Sequence, residues 1–180
     1  MEIVKLNLQE YQGKKLAVRY QSNYVYEAVV EQGRDFFGVS FQRKALSSPI
    51  ACGFTDVWGS EWLKNPELYA ISVNGLIAGK IEIAGESWTH RLRISNLLIE
   101  EAYRGQGCAT SLLAYVRFLA KERGYRCLVL ETQSCNDPAI QCYLRNGFQF
   151  LGCDLSPESN QDPKNHNVRI EMVYYLQDTI

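Results

Sequence analysis

YRGQGCATSLL, residues 103–113, is where a strand pattern gives way to a helical one. Before it, RLRISNLLI (91–99) alternates at first and then turns wholly apolar, as a buried central strand does. After it, Leu112, Leu113, Val116, Leu119 and Ala120 share one helical face, with Arg117, Lys121 and Arg123 on the other. Gly124 suits the stop of that helix. The connection between strand and helix is Arg104, Gly105, Gln106, Gly107, Cys108 and Ala109. A helix start offers unpaired N–H groups and a positive dipole end, a natural seat for phosphate. Gly105 and Gly107 let the backbone come close, and Arg104 adds a charge-assisted contact. Read alone, the loop fits a tight strand-to-helix turn equally well. It is neither a nucleotide-hydrolysing P-loop, since no Lys-Ser/Thr pair follows, nor a dinucleotide fingerprint, since the third glycine is missing.

The flanking segments extend the pattern. CLVLET (127–132) reads as a buried strand. Asn136-Asp137-Pro138 starts a second helix, a capping side chain followed by proline in the first turn, which ends at Asn146-Gly147. FQFLGCDL (148–155) and VRIEMVYYL (168–176) are the last strands, separated by the polar loop SPESNQDPKNHN (156–167). Upstream, LYAISV (68–73), Asn74-Gly75 and LIAGKIEIAG (76–85) make a hairpin. LAVRY (16–20) and YVYEAVVE (24–31) read as extended segments, and a turn at GRD (33–35) leads into FFGVSFQRKAL (36–46) as a further hairpin. Residues 53–66 predict a short helix or an irregular arm. The order is strands, helix, strand, helix, strands, around one mixed sheet covered by helices.

The totals bound the function. A chain of 180 residues suits one domain with a substantial core. With 19 basic against 20 acidic residues the net charge is −1, which gives no electrostatic case for a nucleic-acid partner. None of the six cysteines forms a CxxC pair, and His90 and His166 are the two histidines, so no metal site is predicted. The expectation is reduced thiols packed as small hydrophobes. Glu2, Lys5 and Asn7 interrupt any apolar core of a secretion signal, and no apolar run approaches the roughly 20 residues that cross a bilayer. A cytoplasmic protein with no membrane partner is expected.

R-x-x-G-x-A, an amphipathic helix, a strand, N-x-x-A-x-x-x-Y and an Asn-Gly-Phe corner together resemble the GCN5-related N-acetyltransferase (GNAT) superfamily over about residues 65–176. The resemblance implies an α/β (α+β) fold: a mixed, mostly antiparallel central sheet flanked by helices, with an N-terminal β-hairpin arm. It implies one acetyltransferase domain over 1–180, with 1–50 as the arm and 65–176 as the acetyl-CoA-binding core. It further implies that the backbone N–H groups of Arg104, Gly105, Gln106, Gly107, Cys108 and Ala109 hold the pyrophosphate of acetyl-CoA. Leu97, Leu98 and Ile99 would pair their backbone with the pantetheine arm, and Asn136 would bond the same arm. Tyr143 would be the general acid that protonates the departing thiolate. Aminolysis of a thioester needs a neutral amine, an oxyanion donor and that proton. Tyr143 lies two helical turns past Asn136, so both face one side.

Within the superfamily, Asn65-Pro66, Trp88, LETQ (130–133), N-x-x-A-x-x-x-Y and D-x-x-x-x-S-N (154–160) resemble streptothricin acetyltransferases. The implied acceptor is a small-molecule primary amine of an antibiotic, with a peptide amine, a polyamine or a catalytically silent acyl-CoA-binding module as alternatives. A homodimer is left open. One departure stands out: Ser95-Asn96 occupies the place of an adjacent Glu-Asp pair in the central strand. Neither serine nor asparagine is an ordinary base near neutral pH. Glu131 is the first substitute, with Glu82 and Asp154 behind it. His90 reads as a solvated turn residue, Cys108 as packing under the loop, and Trp58 and Trp62 as either core or acceptor-pocket residues.

Overall fold

The computed structural model describes residues 1–176; residues 177–180, the end of the expected domain, lie outside that description. The chain forms, in order, β1 (Glu2–Leu6), β2 (Lys15–Gln32), β3 (Phe37–Val57), β4 (Glu67–Val73), β5 (Leu76–Glu86), β6 (Arg91–Ile99), α1 (Cys108–Glu122), β7 (Cys127–Gln133), α2 (Asp137–Arg145), β8 (Gln149–Asp154) and β9 (Arg169–Tyr175). Seven strands make one sheet in the order β1-β4-β5-β6-β7-β9-β8, while β2 and β3 pair with each other. The large sheet is antiparallel throughout except at β6–β7, so the expected mixed, mostly antiparallel sheet is present.

Local chemistry explains these elements. Asn74 and Gly75 both take left-handed backbone (φ 51° and 79°), the two-residue turn whose twist matches an antiparallel hairpin. The apolar face of α1, Leu112, Leu113, Val116 and Ala120, is fully buried against Ile71, Ile81, Leu92 and Leu128 of the sheet. Each leucine and valine among them contributes about 1.5–3 kcal/mol by leaving water. Leu128 and Leu130 enter that core, whereas Cys127 and Val129 pack with Val173 in a separate cluster. Strand β7 is therefore covered on both faces, as its unbroken apolar run predicts. No helix among the described residues is long and apolar enough to cross a membrane.

The N-terminal third departs from its reading in three ways. The segments 16–20 and 24–31 are one strand, β2, and its partner β3 runs on past Pro49 to Val57. Residues 53–57 are thus strand, and 58–66 are turns and bends with no helix. The hairpin register breaks between Ser22 and Tyr24, opposite the stretch that contains Pro49. Proline cannot donate to the ladder, so the pairing lapses there and resumes. Finally, β1 pairs with β4 at the sheet edge. Its charges, Glu2 and Lys5, mask the strand in the sequence, but charged side chains are what an exposed edge carries.

Candidate active site

Strands β6 and β7 are hydrogen-bonded neighbours only from Arg91 to Arg93 and from Cys127 to Val129. Beyond that point they part, and β6 loses its partner on this side while keeping β5 on the other. A cleft of about 980 Å³ fills the gap, bounded by β6, β7, the starts of α1 and α2, and the inner part of β3. Of the coenzyme-site residues nominated by sequence and the first candidate base, all but Gln106 line it: Leu97, Leu98 and Ile99 on β6, Glu131 on β7, Asn136 and Tyr143 on α2, and the loop into α1. Gln106 instead folds its side-chain amide back onto the Ala102 carbonyl at 2.8 Å.

The loop has the form of an anion seat. Gly105 and Gly107 take φ of 73° and 84°, a region glycine enters at no steric cost. A Cβ built on either meets no atom within 4 Å, so both face open space. Gly107 caps α1 without any side-chain bond, and the first turn of α1 holds no acidic residue. Its N–H groups and the dipole of a 15-residue helix are left for a ligand. The Arg104 amide is not one of them, because it donates to the Glu101 carbonyl at 3.2 Å. The Arg104 side chain ties the loop to the end of β6 through the Ile99 carbonyl. Cys108 is buried beneath the loop in the main core, as packing demands. A diphosphate on a long, strand-like arm fits this arrangement of open amides and unpaired β6 edge.

On α2, the Asn136 side-chain oxygen accepts from Ala139 N–H at 3.3 Å, so it caps the helix and leaves its amide hydrogens over. Tyr143 packs its ring on Phe148 at 5.8 Å, and burial pushes its phenol above the ordinary range. Its hydroxyl reaches the cleft without a hydrogen-bond partner among the described residues. Arg145 and Asn146 extend this wall, and Asn146 bonds Thr110 of α1 at 3.2 Å.

The candidate carboxylates separate. Glu131 lies 3.7 Å from Arg93 and 3.9 Å from Arg169, so it pairs with arginines at the cleft margin. Asp154 bonds Arg169 at 2.9 Å outside the cleft. Glu82 is fully buried beneath the cleft floor, where Ser95 Oγ and Asn96 Nδ2 donate to its Oε2 at 2.7 and 3.2 Å. Two consecutive residues reach one carboxylate because the β5–β6 register shifts there: Glu82 faces Asn96 and Ile83 faces Ile94, leaving Ser95 as a bulge. Asn96 also donates to Asp56 Oδ2 at 3.1 Å. Asp56, at the end of β3, lines the cleft and was missed by sequence reasoning. Its one signal is an aspartate inside a strand, a position that type disfavours. Arg43, also missed, lines the cleft, and one edge of its guanidinium donates from Nε and Nη2 to the two Asp137 oxygens at 2.7 and 3.0 Å. Trp58 is core, Trp62 is exposed, His90 sits exposed in a turn, and none of the three lines the cleft.

Known proteins share this fold. Residues 26–148 match the acetyltransferase (GNAT) family. A streptothricin acetyltransferase of Streptomyces lavendulae is 30% identical over 125 residues, 65% of this chain and 66% of that protein. The chain spans 49% of the length of a second curated relative, a streptothricin acetyltransferase of Escherichia coli. In fold, a nourseothricin acetyltransferase crystal structure superposes with a TM-score of 0.73 at 20% identity, over 98% of both chains. A Bacillus anthracis protein solved with acetyl coenzyme A superposes with a TM-score of 0.67 at 17% identity, over 97% of this chain and 98% of that one.

Proposed function

The chain belongs to the acetyltransferase (GNAT) family, and from that premise we propose that it transfers an acetyl group from acetyl-CoA to a primary amine of a small molecule, a streptothricin-like antibiotic first among them. The observation that carries the reading is the cleft where β6 leaves β7, because it joins an uncapped helix start, an unpaired strand edge and a free phenol. Bound acetyl-CoA supplies the acetyl thioester. The N–H groups of Gly105, Gln106, Gly107, Cys108 and Ala109 hold its pyrophosphate against the α1 dipole. The backbone of Leu97, Leu98 and Ile99 takes the pantetheine arm as an added strand, with the free amide hydrogens of Asn136 beside it. Tyr143 gives its proton to the sulfur as the C–S bond breaks. The relatives named as streptothricin acetyltransferases support an antibiotic amine as acceptor.

Isothermal titration with acetyl-CoA, followed by thiol release against streptothricin, aminoglycosides, polyamines and peptides, tests this function. Saturable coenzyme binding and turnover with streptothricin are expected. Folded protein that binds no acetyl-CoA overturns the reading, and turnover with peptides alone moves the acceptor to that class.

A further inference from the structure

Glu82 is fully buried, and among the described residues no basic nitrogen lies within 4.0 Å of it or of Asp56. A charge taken out of water ordinarily has an opposite charge beside it. Glu82 has neutral donors only: Gly59 N–H on Oε1 at 2.6 Å, and Ser95 and Asn96 on Oε2. Asn96 spans the two acids with one amide nitrogen, 3.2 Å from Glu82 and 3.1 Å from Asp56 Oδ2. Asp56 Oδ1 is taken by Val57 N–H at 2.8 Å and by Ser60 Oγ at 3.4 Å, whereas Oδ2 accepts from Asn96 alone. Two carboxylates are thus bridged by a neutral amide, and through Asp56 the pair opens into the cleft.

We infer that Asp56 is the catalytic carboxylate that meets the acceptor's ammonium and takes its proton, with Asn96 and Glu82 as its positioning residues; this rests on the acetyl-transfer reading above. Negative charge stands on either side of Ser95-Asn96, with Glu82 on the adjacent strand β5 and Asp56 on β3 of the separate hairpin, and Asn96 connects them. Of the other charged groups of the cleft, Glu158 in the loop before β9 pairs with no basic group among the described residues. Arg43 on β3 holds Asp137, Arg169 on β9 holds Asp154, and Glu131 on β7 faces Arg93 and Arg169. Arg104 and Arg145 flank the start of α1. The protons balance. One N–H bond of the ammonium breaks as an O–H bond forms on Asp56, and the freed lone pair makes the amide C–N bond. The C–S bond breaks, sulfur takes a proton from Tyr143, and the second amine proton restores Tyr143. Asp56 returns its proton to water, so each turnover yields amide, thiol and one proton.

Asp56→Asn tests the assignment, because it keeps the shape and removes the charge. Acetyl-CoA affinity is measured by calorimetry, and kcat/KM for streptothricin and for spermidine is followed from about pH 6 to about pH 10. Unchanged coenzyme affinity is expected, with kcat/KM near neutrality lower by roughly 10²–10⁴-fold. That deficit shrinks as pH approaches the amine's own pKa, about 10, where solvent supplies the neutral form. Asp56→Glu restores the charge and regains at least part of the loss. Glu82→Gln, which leaves Asn96 differently held, is expected to lower kcat/KM for the amine while leaving coenzyme affinity as it was, and Asn96→Ala is expected to do the same. Should Asp56→Asn retain the wild-type kcat/KM and pH profile, the assignment falls and acetyl transfer stands. Wild-type protein that binds no acetyl-CoA and releases no thiol with either amine overturns both.

Discussion

Tyr143 sits where its surroundings fix its protonation. Its ring is buried against Phe148, its hydroxyl reaches the cleft, and burial raises the phenol above its ordinary range. A raised phenol keeps its proton through neutral and mildly alkaline pH, the form that a donor to sulfur needs. Tyr143→Phe removes the O–H and leaves the ring in its packing. Turnover is expected to fall roughly 10²–10⁴-fold, with acetyl-CoA affinity unchanged by calorimetry; wild-type turnover would take Tyr143 out of the mechanism. Asn136 and Tyr143 were nominated through the resemblance carried by N-x-x-A-x-x-x-Y, and helical spacing, a local rule, put both on one side of α2. Asp56 was not readable, since it meets Asn96 across 40 positions and no periodicity connects a hairpin arm to a central strand. Glu131 was legible as a strand-end acid beside the cleft, but Arg93 and Arg169, which face it, come from two other strands.

The start of α1 joins loop chemistry to helix chemistry, and Gly107 is its hinge. At φ 84° an alanine takes on left-handed strain of about 1 kcal/mol, a Tm decrease of about 2–4 °C for a chain of this size. Its Cβ points into open space where phosphate oxygens are proposed to lie, so acetyl-CoA affinity in Gly107→Ala is expected to fall about tenfold or more. A binding loss matched by the small Tm change, with no further weakening, would argue for a turn and against an anion seat. The other end of α1 is tied by Glu67 of β4. Burial opposes ionisation of this carboxyl, but hydrogen bonds from Arg123, Lys5 and Tyr69 outweigh it and bring it down to about 2. Because the folded value lies below the unfolded one, this contribution is full above about pH 4.5 and is lost as pH falls towards 2. Glu67→Gln is therefore expected to be less stable near neutrality and to lose less stability on acidification, read as Tm against pH. Equal acid slopes for both proteins would remove Glu67 from the acid response. Lys5 belongs to β1, so the tie also shows why that edge strand escaped notice: its charges serve a partner 62 positions away.

The whole molecule divides its cleft between a sheet that holds itself and an arm that does not. A two-stranded hairpin is marginal alone in water, and β2–β3 shares no ladder with the large sheet. It is held at its base by Leu16 and Trp58 packed on Leu68. Beyond the Pro49 irregularity it is held by Tyr26, whose N–H donates to the Ser134 carbonyl at 2.8 Å and whose hydroxyl accepts from Gln141 at 2.7 Å. Arg43 completes the attachment: it stacks 3.5 Å from the Tyr24 ring centroid and grips Asp137 at the start of α2. β-branched and aromatic content and the turn signal made the arm's strands legible, but its docking joins apolar packing of Leu16, Trp58, Tyr26 and Phe41 to polar contacts, all with positions far along the chain that no local pattern encodes. Because Arg43 itself lines the cleft, loosening the outer half disturbs the acceptor side of the cleft while leaving the arm's base, with Asp56, and the α1 loop alone. Arg43→Ala is accordingly expected to speed hydrogen exchange in the paired stretches 24–32 and 37–45, with the amides of β5, β6 and β7 as slow as before. Its KM for the amine rises while acetyl-CoA affinity holds. Exchange that quickens equally in the central sheet would mean that the arm and the sheet open as one unit, and that Arg43 supports the whole fold rather than the attachment of its arm.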